Sequence, residues 1–212
     1  MRAMYPFNDA FRGEVAARCA AFPRLVASDP SVGLKRSAIA ITLLETQDGS
    51  GVAGFLLTRR AKGLRAHGGQ WALPGGRCDQ GETPVAAVLR ELDEEAGLRL
   101  GAGDALGLLD DYPTRSGYCI TPVVLWAGRN PQLRPNPKEV ASLHRIALPE
   151  IMEPDAVEFI AIPESDKKVI RMRVGASRIH APTGAVLYQF REVLAGRTTR
   201  VAELDQPVFA WQ

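Results

Sequence analysis

The chain has 212 residues, of which 46% are hydrophobic and 24% charged, and its formal net charge is +2. These values are typical of one globular domain with appendages and give no reason to expect polymeric nucleic acid as a partner. No apolar run approaches the ~20 residues of a membrane helix, and the N-terminus lacks the apolar core of a signal peptide.

The pattern along the chain predicts a mixed α/β protein. A helix is expected over residues 8–22, and a strand over 37–44, where Ile39, Ile41 and Leu43 alternate with smaller residues. A turn at 48–49 leads to a second strand over 54–58. A third strand is expected over 120–127, with Pro122 at its edge or start because proline cannot donate to a sheet ladder. Further strands are predicted over 139–147, 159–162 and 169–174, and a helix over 183–195.

Cysteine usage and the chain end add two expectations. Cys19, Cys78 and Cys119 are widely spaced and indicate neither a disulfide framework nor a zinc site, so a reducing cytoplasm is the expected compartment. The apolar residues 208–211 are expected to dock on the body of the protein or on the partner of a homodimer.

Residues 76–98 predict a loop that leads into one short helix. Thr83 is a good N-cap and Pro84 fits the first helical position, where its missing N–H costs nothing. Gly97 can adopt the left-handed conformation that ends a helix, and Leu98 can make the closing hydrophobic contact. Apolar residues at helical spacing predict the buried face of this helix: Val85, Val88, Leu89, Leu92 and Ala96.

Carboxylates are concentrated on the same helix. Glu91, Glu94 and Glu95 stand three and four residues apart and are expected to share its other face, where Arg90 can offset one of them. The remaining negative charge is costly unless a cation lies there, and carboxylates suit hard divalent cations. A solvated charged helix face is the alternative, but it leaves the offsets of Gly76 and Glu82 unexplained.

These positions together resemble the Nudix box, with no required position missing. Nudix proteins hydrolyse a nucleoside diphosphate linked to another moiety, and they use Mg²⁺ or Mn²⁺. The resemblance implies a Nudix fold: an α/β/α sandwich with a curved mixed sheet between helices and the box as loop-helix-loop. We therefore divide the chain into an N-terminal helical extension, residues 1–34, and a Nudix domain, residues 35–212, which includes a C-terminal helix.

The resemblance also implies residue roles. Glu91 and Glu95 would be the principal metal ligands, with Glu94 and the carbonyl of Gly76 as further candidates, and Arg90 would orient the glutamates. Glu82 would support the site through the loop. The predicted catalytic residues are Glu91, Glu94, Arg90 and Glu139. Glu139 is included because either Glu91 or Glu139 could accept the proton of the attacking water, and the sequence leaves that choice open.

Residues 56–76 are similar to the signature that precedes the box in coenzyme A pyrophosphatases. The matching positions are Leu57, Thr58, Arg59, Leu64, Arg65, His67, Gly69, Gln70, Pro74, Gly75 and Gly76. This resemblance implies coenzyme A or its derivatives as substrate, with 3′,5′-ADP and 4′-phosphopantetheine as products.

There are departures from that signature. The box loop lacks a residue that coenzyme A pyrophosphatases commonly have, and Trp71 and Leu73 stand where Val and Phe are usual. Pro113 is a mark associated with ADP-ribose pyrophosphatases. ADP-ribose or another nucleoside-diphosphate derivative is therefore the alternative substrate. A non-catalytic ligand-binding module is disfavoured by the complete acidic set.

Basic groups and glycines upstream of the box form the predicted substrate-binding set. Arg59 and Arg65 suit phosphate because a guanidinium makes paired charge-assisted hydrogen bonds, and His67 lies beside them. Gly75 and Gly76 allow a phosphate to approach the backbone closely. Only one of Arg59 and its neighbour Arg60 is expected to face the site, because adjacent strand residues point to opposite faces, and Arg59 is the candidate. A basic loop exposed to water is the alternative.

Overall fold

The computed structural model describes residues 5–26, 33–64 and 67–207. Arg65, predicted to bind substrate, and residues 208–211, predicted to dock, lie outside the described residues. No helix in the described part of the chain is long and apolar enough to cross a membrane.

A mixed sheet forms the centre of the molecule. Its strands in the described ranges are Lys35–Glu45 (β1), Ala53–Arg60 (β2), Trp71–Ala72 (β3), Gly75–Arg77 (β4), Ala105–Leu108 (β5), Tyr112–Pro113 (β6), Tyr118–Trp126 (β7) and Val140–Ala147 (β8). The main path runs β3-β2-β1-β7-β5, while β4 pairs with β1, β6 with β7 and β8 with β2. β1 and β7 run parallel, and the other pairs are antiparallel.

Helices cover both faces of this sheet. They are Asp9–Ala21 (α1), Pro84–Ala96 (α2), Leu148–Met152 (α3) and Thr183–Leu194 (α4). Ala38, Ala40 and Leu44 of β1 pack toward α2, whereas Ile41 and Leu43 belong to the cluster that includes α1 and α4. Both faces of β1 are therefore buried, and successive residues of the strand contribute to opposite faces. The predicted α/β/α sandwich is confirmed.

A second, three-stranded sheet follows the first along the chain. Its strands are Val157–Ile162 (β9), Ser165–Val174 (β10) and Ser177–His180 (β11), and β10 lies between the other two. Met172 and Ile179 of this sheet and Val186 of α4 join the same core as α1. The two-residue strands β3 and β6 and the short strands β4 and β11 are not predicted from sequence.

The expectation for Pro122 is wrong. It lies in the middle of β7, opposite Ile39 of β1, rather than at an edge or start. On its other side β7 pairs with β6 at Ile120 and with β5 from Val123 onward. Leu109, between β5 and β6, donates its N–H to the carbonyl of Pro122 at 3.0 Å. The nitrogen of Pro122 lies on the same side of β7 as its carbonyl, where the ladder of hydrogen bonds is interrupted. A proline is tolerated there because no regular ladder bond is lost.

Candidate active site

The helix α2 begins and ends where the sequence predicts. The hydroxyl of Thr83 accepts the N–H of Ala86 at 3.2 Å, and Pro84 occupies the first turn. Gly97 has φ 62° and closes the helix in the left-handed conformation. The N–H of Leu98 then bonds the carbonyl of Leu92 at 3.1 Å. These bonds satisfy backbone groups that a helix end otherwise leaves unpaired.

The three carboxylates of α2 differ in burial, which the sequence does not predict. Glu95 is 3% exposed and lies beneath the loop, where its carboxylate accepts the N–H of Gly75 at 3.2 Å. Glu91 is also largely covered, with 12% of its side chain exposed, whereas 52% of the Glu94 side chain is exposed. The loop that packs over the helix turns a surface position into a buried one. Glu91 and Glu95, four residues apart, therefore form the inner pair.

Arg90 holds Glu82, Glu91 and Glu94 together. Its Nε donates to Glu82 at 3.1 Å, and its Nη1 donates to Glu91 at 2.8 Å and to Glu94 at 3.4 Å. Its Nη2 donates to the carbonyl of Arg77 at 2.9 Å, so the clamp also reaches the strand before the helix. These hydrogen bonds hold the pKa of Glu82 below its ordinary value. One guanidinium thus fixes three carboxylates relative to the loop.

At both inner carboxylates the cost of burial outweighs the nearby positive charge. Burial raises the pKa of Glu91 against the opposing effect of Arg90. Burial also raises the pKa of Glu95 to about 7; the Gly75 N–H and the Arg60 guanidinium lower it, while Glu91 and Glu139 raise it further. Desolvation disfavours the charged form of a carboxyl, and neighbouring negative charge adds to the cost.

This donor set fits a hard divalent cation, because a cation would offset the cost of holding Glu91 and Glu95 ionised. Among the described residues, no three His, Cys, Asp or Glu side chains already converge as a closed metal-binding cluster. Arg90 contacts Glu91 and Glu94, and Arg60 lies beside Glu95, so cationic side chains stand at these carboxylates.

Two glycines bring the loop against α2. A Cβ on Gly76 would collide with the carboxylate of Glu91, so the carboxylate lies directly on the loop backbone. Gly75 has φ 149°, a conformation that side chains rarely adopt, and a Cβ there would collide with the carbonyl of Ala38. The carbonyl of Gly76 accepts the hydroxyl of Ser37 at 2.7 Å, which ties β4 to β1.

Glu139 lies close to the same carboxylates, immediately before β8. Its carbonyl accepts the N–H of Ala61 at 2.8 Å, which ties the segment to the end of β2. It contributes to raising the pKa of both Glu91 and Glu95. The structure therefore brings Glu139 into the group that the sequence predicts.

A cavity of about 640 Å³ adjoins the acidic helix. It reaches the helix through β4, because Gly75, Gly76 and Arg77 line the cavity and the first two contact Glu95 and Glu91. Other lining residues lie on the large sheet and the loop after β2: Ile39, Arg59, Arg60, His67, Gly69, Gln70, Trp71 and Ile120. The opposite wall is formed by residues 178–183 and Gln206. The predicted positions Arg59, His67, Gly75 and Gly76 thus meet at one cavity.

Both Arg59 and Arg60 line this cavity, so the expectation that only one of them faces the site is wrong. The pairing of β2 with β8 shifts register between these two residues, and such an irregularity re-aims side chains that would otherwise alternate. Arg60 is the closer of the two to the acidic helix, with its Nη1 3.9 Å from Glu95.

Arg59 is held in a stack of rings. Its guanidinium lies 5.0 Å from the centre of the Trp71 ring, and the Trp71 and His144 rings meet edge to face at 4.7 Å. The Nε2 of His144 is 2.7 Å from the hydroxyl of Ser142. Burial, with a smaller effect of Arg59, lowers the pKa of His144. A neutral histidine there keeps the stack compatible with the arginine charge.

Several lining residues are missed by sequence reasoning. Arg77 donates through its Nε to the hydroxyl of Tyr118 at 2.8 Å and lies over the same ring. Arg77 is inside the box loop, so proximity to the motif is a signal that could have identified it. No sequence signal indicates residues 178–183, because only the tertiary fold brings them to the cavity.

Comparison with known proteins identifies the family of this chain. The NUDIX domain model matches residues 34–171, well over half of the chain. Uncharacterized Nudix hydrolases named NudL from Yersinia pestis (strain Pestoides F) and Yersinia pseudotuberculosis (serotype O:1b, strain IP 31758) are 39% identical over 99 residues, covering 46% of this chain and 50% of each relative. This chain thus spans about half the length of the curated relatives that it matches.

A solved structure shows the same fold. The crystal structure of RenU, a Nudix hydrolase from M. smegmatis, is similar with a TM-score of 0.52 and 24% sequence identity, covering 79% of this chain and 90% of that one. The family match covers the sheet, the box helix and the carboxylates just described, and the chain belongs to the Nudix family.

Proposed function

We propose that this protein hydrolyses the diphosphate linkage of a nucleoside diphosphate derivative with the help of divalent cations. The observation that carries this proposal is the pair Glu91 and Glu95: two desolvated carboxylates under a glycine loop that also lines a cavity. A volume of about 640 Å³ lies within the range of roughly 300–1,000 Å³ that small-molecule sites occupy.

Glu91 and Glu95 would hold the cations, with Glu94 and the Gly76 carbonyl as further ligands. When bound, Mg²⁺ or Mn²⁺ supplies charge neutralisation at the diphosphate and activation of water. Arg90 keeps Glu91 and Glu94 in place relative to the loop. The glycine pair lets phosphate oxygens approach the backbone, and Arg59, Arg60 and Arg77 place positive charge along the cavity.

Glu139 suits the role of proton acceptor better than Glu91. The Glu91 carboxylate already accepts a hydrogen bond from Arg90 at 2.8 Å and is needed as a cation ligand. No described side chain donates a hydrogen bond to the Glu139 carboxylate, and its backbone is fixed at the end of β2. A base must present a free lone pair within reach of the proton that it takes.

Coenzyme A or a derivative is the substrate that we propose, giving 3′,5′-ADP and 4′-phosphopantetheine. The support is the resemblance of residues 56–76 to the coenzyme A pyrophosphatase signature and the number of arginines around the cavity. Coenzyme A carries a ribose 3′-phosphate besides its diphosphate and so requires more positive charge than ADP-ribose. The apolar residues Ile39, Ile120 and Ile179 offer a surface for the pantetheine half.

A panel of substrates tests this proposal. Coenzyme A, 3′-dephospho-coenzyme A, ADP-ribose and NADH are compared by kcat/KM with Mg²⁺ or Mn²⁺ and with EDTA. A charge-assisted hydrogen bond contributes roughly 1.5–3 kcal/mol, so coenzyme A should exceed its dephospho form by about ten- to a hundredfold. Arg59→Ala should shrink this preference without changing metal dependence.

Equal kcat/KM for coenzyme A and its dephospho form would refute recognition of the 3′-phosphate. Faster hydrolysis of ADP-ribose would move the substrate assignment to that class. Turnover that persists in EDTA would overturn the cation-dependent mechanism itself. The predicted homodimer remains a prediction, which light scattering of the purified full chain tests directly.

A further inference from the structure

We propose that Arg60 is a positioning residue with two alternative anionic partners. It lies beside Glu95 before cations bind, and it transfers its guanidinium to the substrate diphosphate once cations occupy the carboxylates. This inference rests on the proposed function and adds a residue that links cation binding to substrate binding.

The contacts of Arg60 are incomplete where it lies. Its Nη1 is 3.9 Å from Glu95, which is an ion pair but too long for a hydrogen bond. Its Nε is buried, and no described group accepts a hydrogen bond from it. Arg90, by contrast, donates to three carboxylates and a backbone carbonyl. An unpaired buried donor costs free energy, so Arg60 would gain from an acceptor that arrives in the cavity.

The backbone of Arg60 is held by two hydrogen bonds, while its guanidinium is paired among the described residues through the long contact with Glu95. Its N–H donates to the carbonyl of Gln70 at 2.9 Å, and its carbonyl accepts the N–H of Gly69 at 3.2 Å. These bonds tie the end of β2 to the loop that precedes β3. The side chain lines the cavity and is 29% exposed, so rotation about its own bonds suffices to move the guanidinium.

Charge gives the direction of this movement. A cation bound at Glu95 and the guanidinium of Arg60 would repel each other at such a short distance in a poorly solvated site. A diphosphate on the cavity side attracts both of them. Arg60 therefore competes with cations for Glu95 in the free protein and assists the substrate in the loaded one.

The test separates these two effects. In Arg60→Ala, the affinity of the substrate-free protein for Mn²⁺, measured by titration calorimetry or electron paramagnetic resonance, should rise about five- to tenfold. The KM for coenzyme A should rise about tenfold or more, with a smaller change in kcat. A residue that only supports the fold would weaken cation binding and substrate binding together.

Arg59→Ala is the matched control. Arg59 is the neighbouring arginine in the same cavity, but it stacks on Trp71 rather than pairing with Glu95. Its loss should leave Mn²⁺ affinity unchanged. Arg60→Lys keeps the charge and loses the planar fork, so we expect wild-type Mn²⁺ affinity and a raised KM.

Unchanged or weaker Mn²⁺ affinity in folded Arg60→Ala would overturn the proposal. Arg60→Gln replaces that variant if it does not fold, and if neither folds, an unchanged KM in Arg60→Lys overturns it. The failure of the proposed function looks different, because then the wild-type protein itself would neither bind Mn²⁺ nor turn over a nucleotide.

Discussion

Carboxylates are buried both in helix α2 and in the segment that ends the described chain, but they differ in how many hydrogen-bond donors surround them. Asp205 accepts hydrogen bonds from Arg115 Nε at 2.8 Å, from the Ser165 hydroxyl at 2.5 Å and from the Gln206 N–H at 2.8 Å. These bonds hold the pKa of Asp205 well below its usual range. Glu95 has one backbone N–H at 3.2 Å and a distant arginine, and its pKa is raised to about 7.

The difference separates structural carboxylates from ones that are prepared for a ligand. Glu192 follows the pattern of Asp205: it accepts from Arg197 Nε at 2.6 Å and from Thr199 at 3.0 Å, and its pKa is lowered. A buried carboxylate whose oxygens already accept several hydrogen bonds stabilises one conformation and has no free acceptor site for a ligand. A buried charge with lone pairs to spare is costly in the free protein, and a cation can recover that cost.

Among the proposed substitutions, Glu139→Gln should cause the largest loss of turnover. Glu139 is only half-buried, but like Glu95 its carboxylate accepts no hydrogen bond from a described side chain. The amide cannot accept the proton of the attacking water, and a general base typically contributes about 10²–10⁴-fold. We expect a loss of this size in kcat with unchanged Mn²⁺ affinity, measured by steady-state kinetics and by metal titration. Near-normal turnover would return the role of base to Glu91.

Glu95→Gln should have opposite effects on activity and on stability. Turnover should fall about a hundredfold or more, since a cation loses a charged ligand. A carboxyl whose pKa is raised on folding destabilises the folded state once it is ionised. At pH 8 in EDTA, the free energy of unfolding of the variant should therefore exceed that of wild type by about 1–2 kcal/mol.

Urea unfolding of both proteins, with EDTA and with Mn²⁺, measures this effect. Mn²⁺ should stabilise the wild-type protein more than the variant, because only the wild-type protein retains the full ligand set. A variant that is less stable than wild type in EDTA would contradict the description of Glu95 as an uncompensated charge.

Asp205→Asn makes the equivalent change, from carboxylate to amide, in the C-terminal segment. The amide cannot accept the paired hydrogen bonds of Arg115, so the free energy of unfolding should fall by about 2–3 kcal/mol. Activity per folded molecule should stay within a fewfold of wild type, since Asp205 offers no free lone pair to a ligand. Glu192→Gln, at the other carboxylate that is paired with an arginine, serves as the parallel variant. A loss of turnover without a loss of stability would place Asp205 with the prepared carboxylates instead.

The sequence predicts the elements whose signals are local. The bounds of α2 follow from Thr83, Pro84 and Gly97, and β1 follows from the alternation around Ile41, because caps and periodicity act within a few residues. Helix α1 was expected over 8–22 and is observed at Asp9–Ala21. Strands of two residues carry no such periodicity, so β3 and β6 could not be predicted.

The candidate site was only partly predictable for a related reason. The spacing of Glu91 and Glu95 identifies the helix and its charge, but the burial of Glu95 depends on the loop at Gly75 folding over it. The aim of Arg60 depends on a register shift against β8 that the sequence of β2 alone does not contain. The wall at residues 178–183 is formed by the end of β11 in the second sheet and the start of α4. Tertiary packing decides each of these features, and local pattern does not.

The smallest expected effect is that of acid pH on the contribution of Asp205 to stability. The pKa of Asp205 is lower in the folded protein than its unfolded value of about 3.9. Its contribution to stability is therefore complete above that value and is lost as the pH falls toward the folded pKa. The gap in free energy of unfolding between wild type and Asp205→Asn should narrow by about 1–2 kcal/mol from pH 6 to pH 3. Denaturant unfolding of both proteins across this range measures the gap, and the subtraction removes the other carboxylates, which titrate in both. A gap that stays constant to pH 3 would mean that Asp205 is not held as an ion by Arg115 and Ser165. It would contradict the description of Asp205 as a carboxylate that stabilises the fold.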